Sequence, residues 1–171
     1  MSRRILWTTL AAGAVAAMVL PGLIGAPPQL VWNASASVPI GFYTVSPPRG
    51  LRVGDIAVVR LPDRIAAMLA ARHSLPRGVL LIKPVAALAG QIVCRDGLTV
   101  RIDGKAVGAA LARDRLGRPL PVWQGCRRLT GRDVFLMNPT VPDSFDGRYF
   151  GVVPRTAVIG RATPLWRPGA H

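Results

Sequence analysis

Between Ile5 and Pro48 the chain carries no charged residue. No other feature restricts the fold so much, because so long an uncharged stretch must be buried in protein or in lipid. Its first part, Ile5–Ile24, is long enough to span a bilayer as a helix: about 20 residues at 1.5 Å each cover a hydrocarbon core of roughly 30 Å. Trp7 and Trp32 bracket it, as interfacial aromatic residues do. Arg3 and Arg4 precede it, and the positive-inside rule keeps them cytoplasmic and sends the rest of the chain across. Pro21-Gly22 predicts a kink or an end near the outer face. A cleaved signal peptide competes with this reading, since Ala34-Ser35-Ala36 has the small-residue pattern of a cleavage site. That site lies well beyond the apolar run and past Pro27-Pro28, so a retained anchor is the expectation. On either reading the body is exported.

The organisation expected is therefore a cytoplasmic tip and anchor over residues 1–28 and one exported domain over 29–171. Half of the 171 residues are hydrophobic, enough for a real core and too many for disorder. Beyond Arg49 the pattern is mainly β. Val53–Leu61 is rich in β-branched residues, and Val79–Ile82 is a continuous apolar run leading into Lys83-Pro84-Val85. Gln91–Cys94, Val134–Met137 and Ala157–Ala162 read as further strands. Asp103-Gly104 between two short apolar runs predicts a hairpin. One short helix is expected from a cap at Asp63 through Ala71, with Ile65, Met68 and Leu69 on one side. Arg113–Pro119 reads as a basic loop.

The formal charge is +14, and of 22 basic residues only Lys83 and Lys105 are lysines; there is no Glu. The arginines are dispersed, whereas a nucleic-acid protein concentrates its charge on one face or arm. Attraction to anionic lipid headgroups is an equally good use of such a surface, and a simple arginine-rich codon bias is the alternative to both; with the anchor, the inner membrane is the expected partner and nucleic acid is not. Cys94 and Cys126, with His73 and His171, do not make metal-ligand spacing, and no metal or other cofactor is expected. In an exported domain the two cysteines read naturally as a disulfide, the alternative being two buried thiols.

The chemistry is narrowed by what is missing. No G-x-S-x-G elbow, S-x-x-K signature or H-E-x-x-H motif occurs. His171 is the last residue and His73 follows the short helix in a polar turn; neither looks positioned as a base. Ser37 sits beside Pro39 and Gly41, in a backbone stiffened and then released, although an incidental membrane-proximal turn would look the same. Lys83 ends an apolar run, and burial there would favour the neutral amine needed for a base. A snorkelling edge-strand lysine is the alternative. Lys105 lies at the predicted hairpin tip and reads as solvated.

Three boxes in order resemble the signal peptidase I (leader peptidase) superfamily of serine–lysine proteases. They are Ser35-Ala36-Ser37-Val38-Pro39-Ile40-Gly41; Leu81-Ile82-Lys83-Pro84-Val85 through Gly90; and Asn138 with Asp143-Ser144-Phe145-Asp146-Gly147-Arg148 through Gly151. Ser37-Val38-Pro39 lacks the Ser-Met of general leader peptidases and is similar to the conjugative-transfer signal peptidases of the TraF type. The resemblance implies a mainly β catalytic domain with a short helix behind one transmembrane helix. It implies Ser37 as nucleophile, Lys83 as general base, Ser35 as oxyanion-hole hydroxyl, Ser144 as the residue orienting the lysine, and Asp146 and Arg148 as a supporting pair. Gly147 stands where a serine is common in the family, and Pro84 where a basic residue is frequent. The substrate it implies is an exported, pilin-like precursor, cut by hydrolysis or joined into a ring. A general leader peptidase and a non-enzymatic subunit of a conjugation or secretion apparatus are the rival readings.

Overall fold

The computed structural model describes residues 3–23, 28–73 and 75–166. In chain order the elements are α1 (Arg3–Leu23), β1 (Leu30–Asn33), β2 (Gly41–Ser46), β3 (Ile56–Val59), α2 (Asp63–Ala71), β4 (Leu81–Ala87), β5 (Ile92–Asp96), β6 (Thr99–Ile102), β7 (Lys105–Ala109), β8 (Gly125–Arg128), β9 (Asp133–Leu136), α3 (Gly147–Phe150), β10 (Val153–Pro154) and β11 (Val158–Trp166). The fold is mainly β with few helices, as the sequence predicts. α1 forms as expected and runs on through Pro21-Gly22. Among the described residues, however, no helix is long and apolar enough to cross a membrane. The Ile24 end of the expected span lies outside the described residues.

Seven strands form one sheet in the order β1-β2-β11-β3-β4-β9-β10, and four form a second in the order β7-β6-β5-β8. Successive side chains of a strand face opposite ways, and β3 divides its residues accordingly. Ala57 and Val59 enter a core with Leu69 of α2, Val85 and Leu136. Val58 faces the other side, with Val38, Tyr43, Ile82 and Ala162. A third cluster, Val93, Val100, Ile102, Phe135 and Met137 among it, joins the second sheet to β9. The site lies at the rim of the first core, where α2 and the 138–148 segment meet β4.

Several boundaries differ from the sequence reading. β3 is shorter than Val53–Leu61 because Arg52–Asp55 is a turn, closed by the Arg52 N–H on the Asp55 carboxylate at 2.8 Å. Asp63 is the first helical residue of α2, not its cap; Pro62 occupies the cap position and no side chain closes it. β11 continues past Ala162 to Trp166, pairing with β2 along the way. The hairpin is where expected: Asp103 (φ 49°) and Gly104 (φ 80°) both lie in the left-handed region, the signature of a type I′ turn. The 113–119 loop is also where expected, closed by an isolated bridge between Arg113 and Pro119.

Candidate active site

Ser37 lies in a turn between β1 and β2 that is tied together by one buried asparagine. The Asn33 side-chain amide donates to the carbonyls of Ser35 at 2.7 Å, Val38 at 2.9 Å and Pro39 at 3.1 Å. Tyr43, fully buried on β2, donates its hydroxyl to the Pro39 carbonyl. Val38 turns into the core behind the turn, so Ser35, Ala36 and Ser37 face outward into the cleft. Neither Asn33 nor Tyr43 carries chemistry of its own, and only chain closure reveals their work.

Lys83 is presented by β4 opposite Ala57 of β3, hence on the face of the first core. Its side chain is only 2% exposed. The ammonium nitrogen lies 2.6 Å from Ser37 Oγ and 2.6 Å from Ser144 Oγ. Leu69, Leu75 and Leu81 line the same cleft. Burial among them pulls the Lys83 pKa down from its ordinary 10.5 to about 8. The Asp146 carboxylate opposes that shift, the Arg148 guanidinium adds to it, and Asp143 opposes it more weakly.

Ser144 is held by a segment wrapped around a buried ion pair. Asp146 is fully buried and Arg148 nearly so. Asp146 accepts from the Arg148 guanidinium through both oxygens, at 2.9 and 2.8 Å. Arg148 donates onward to the carbonyls of Pro142, Asn138 and Val141. The second Asp146 oxygen also accepts the Asn138 N–H at 3.0 Å. Asn138 then reaches across the cleft and donates its side-chain amide to the Ser37 carbonyl at 2.6 Å. One network thus fixes Ser144 and Ser37 relative to each other. Asn138 opens the third sequence box, but an asparagine gives no sign of a partner 101 positions away.

Ser35 Oγ is 3.2 Å from Ser37 Oγ and donates to Asn33 Oδ1 at 3.0 Å. A hydroxyl has one proton to give, so stabilising an oxyanion in the cleft requires it to turn from Asn33. His73 follows α2 in an exposed turn with φ 53° and does not line the cleft around Ser37; His171 lies outside the described residues. Lys105 is exposed on β7. Cys94 and Cys126 are joined as a disulfide across β5 and β8, and neither lines the cleft. Among the described residues no cluster of His, Cys, Asp or Glu could hold a metal ion.

Chemically, the arrangement pairs a serine hydroxyl with an amine that is neutral in appreciable fraction near pH 8. A neutral lysine has two N–H donors and one lone pair. Ser144 can accept one donor, leaving the lone pair for the Ser37 proton. That is the hydrogen-bond logic of an activated nucleophile.

Residues 2–166 match the model of the family described as signal peptidase, peptidase S26. The chain is 36% identical over 141 residues to a probable conjugal transfer protein TraF of Sinorhizobium fredii (strain NBRC 101917 / NGR234), covering 76% of this chain and 73% of the relative. It is 32% identical over 133 residues to a plasmid transfer protein TraF of Escherichia coli, covering 77% and 72% of the two. Among solved structures it is similar to a signal peptidase I of Enterococcus faecalis V583, with 20% identity and a TM-score of 0.39 over 69% of this chain and 100% of that one.

Proposed function

Because this chain belongs to the signal peptidase family, peptidase S26, as a TraF-like member, we propose that it is a serine endopeptidase that matures an exported precursor for conjugal transfer through a Ser37–Lys83 dyad. The observation that carries the reading is the buried Lys83 amine, 2.6 Å from both Ser37 Oγ and Ser144 Oγ. In this mechanism neutral Lys83 takes the Ser37 proton as Oγ attacks the scissile carbonyl. The Ser37 N–H and the Ser35 hydroxyl receive the developing oxyanion. The Lys83 ammonium then protonates the departing amine, leaving an acyl-enzyme on Ser37. Water, deprotonated by Lys83, releases the acid; an amine of the same precursor would instead close a ring.

The relatives named for conjugal transfer support a transfer substrate, pilin-like in the proposal, over a general leader peptidase, whose chemistry is the same. Anchorage in the inner membrane with the catalytic domain in the periplasm belongs to the proposal too. It is supported by Arg3 and Arg4 ahead of the uncharged stretch and by the exposed Ile5, Leu6, Trp7, Leu10 and Val15 of α1.

The test is precursor processing by variants that keep the fold. Ser37→Ala is expected to abolish cleavage. Lys83→Arg is expected to be as inactive as Lys83→Ala, because arginine keeps the charge but cannot give up its proton. Ser35→Ala should fold and turn over on the order of 10²–10³-fold more slowly. Substantial processing by Lys83→Arg removes lysine as the base. Processing unaffected by Ser37→Ala leaves the non-enzymatic subunit as the better reading.

A further inference from the structure

The cleft around Ser37 and Lys83 does not end at Ser35. A second cavity of about 540 Å³ opens beyond it, sharing Ser35, Asp143 and Phe145 with the first, which measures about 270 Å³. Each is walled in part by three leucines, but the second adds Arg72 at the end of α2 and Asp114, Arg115 and Arg118 of the loop joining β7 to β8.

That loop is built, not loose. Asp114 accepts the backbone N–H groups of Leu116 and Arg118 at 3.0 and 2.9 Å and the Arg118 guanidinium at 2.7 Å. Arg118 in turn donates to the Arg72 carbonyl, and Arg72 to the Pro119 carbonyl. Tyr149 of α3 accepts the Leu111 N–H at 3.0 Å and fixes the near end of the loop to the site. Arg115 pairs with Asp143 across the opening.

Three guanidiniums and two carboxylates thus face the cavity, leaving one positive charge over. One donor is also left over. Arg72 Nη1 is buried with no hydrogen-bond acceptor among the described residues, its ion pair to Asp114 spanning 3.6 Å. A buried donor without an acceptor is unfavourable, and a ligand in the cavity satisfies this enclosed one only as the Arg72 head turns toward it. Planar, charged guanidinium donors match a carboxylate or a phosphate, and of the two a carboxylate is the group that a peptide chain carries.

We propose that this cavity is a substrate subsite in which Arg72, Arg115 and Arg118 hold a carboxylate of the precursor while the chain lies across Ser37. The proposal rests on the peptidase reading for what enters the cleft. It makes the β7–β8 loop a specificity element that selects an acidic residue, or a free chain end, near the cut.

The test is binding of short labelled Ala-Gly peptides to the full-length Ser37→Ala protein in detergent micelles, read by fluorescence anisotropy. The peptides have blocked ends and one Glu or Gln placed at each position in turn; a neutral member carries a free C-terminal carboxylate. Glu at one position or two adjacent ones is expected to tighten binding about tenfold over Gln at low salt, and 1 M salt should erase the difference. If only the free-ended neutral peptide gains, the ligand is a chain terminus. In either case Arg118→Gln and Arg115→Gln should cut the advantage to about twofold or less, and Asp143→Asn, which frees Arg115, should enlarge it. Arg115 is 88% exposed, so its substitution keeps the test valid if Arg118→Gln disorders the loop. Equal binding of Glu, Gln and free-ended peptides overturns the proposal, and so does a carboxylate preference that survives every arginine substitution. Since binding is read without turnover, a failure of the wild-type protein to cleave any peptide would count against the peptidase reading alone.

Discussion

Lys83 shows most directly how folding makes chemistry. Its pKa near 8 comes first from burial, and the shift has consequences for rate and for stability. For rate, the proposed dyad predicts that kcat/KM climbs with pH and levels off above about 8, as Lys83 loses its proton. For stability the slope has the same sign as that of a paired carboxylate, since both pKa values are depressed on folding, but here the charged form is the disfavoured one. Below pH 8 the folded and unfolded chains both hold the proton, and the fold carries the whole burden of a buried ammonium. Between about 8 and 10.5 the folded chain releases it first, the unfolded chain binds more protons, and stability rises with pH. The shift of 10.5 − 8 = 2.5 units is worth roughly 3 kcal/mol. Lys83→Met, which removes the charge and keeps the bulk, should therefore unfold at higher urea than wild type at pH 7. By pH 10 that margin should shrink or vanish. A variant no more stable at pH 7 than at pH 10, relative to wild type, would show that the amine is not desolvated as its burial indicates.

Among the elements, the 138–150 segment carries the greatest demand, because a buried ion pair, two polar tethers and a helix turn all meet there. Gly147 stands in it where the resemblance implies serine, and the packing explains the difference. A Cβ at Gly147 would lie 2.6 Å from the Leu136 carbonyl oxygen and 2.6 Å from the Phe135 ring. The Trp123 indole meanwhile donates to the Gly147 carbonyl and packs edge-on to Phe135. This chain fills with an aromatic ring the room a side chain at 147 would need. Gly147→Ala should thus destabilise by about 1–3 kcal/mol, as overpacking does, measured by denaturant unfolding; a neutral effect would mean that β9 yields easily. The same segment shows what can be read without a fold. Ser37 and Lys83 taken singly read as well as an incidental turn and a snorkelling edge lysine, and it is the three boxes in order that single them out; the hairpin at Asp103-Gly104 is local turn chemistry. The Asn138–Ser37 tether and the Asn33 clamp are not legible in advance, since they follow from which loops the sheet brings together. β1 is hidden inside the uncharged stretch, and β8, Gly-Cys-Arg-Arg, is exposed throughout and shows no apolar alternation. The insertion of β11 between β2 and β3 is a choice of topology that no local pattern records.

At the scale of the molecule the question is how far the second sheet controls the site. It touches the 138–150 segment through Arg95 of β5, which is 1% exposed and donates to the Arg148 carbonyl, and through Trp123 in the loop leading into β8. The disulfide follows immediately: Cys94 precedes Arg95 on β5 and is bonded to Cys126 on β8, 32 positions away. Closing a loop of that length should stabilise the fold by about 3–4 kcal/mol on the chain-entropy estimate. Its loss, by reduction or by Cys94→Ala with Cys126→Ala, should lower the unfolding midpoint accordingly. The kinetic pKa should behave differently. The apolar wall around Lys83 comes from α2, the segment after it and β4, and the charges come from residues 143–148. None of these is cross-linked. The reduced protein should therefore be less stable and yet show the same rise in kcat/KM through about pH 8. If reduction moved that rise instead, the second sheet would have to reach Lys83 through Arg95 and Arg148, and Arg95→Met would then reproduce the shift with the disulfide intact.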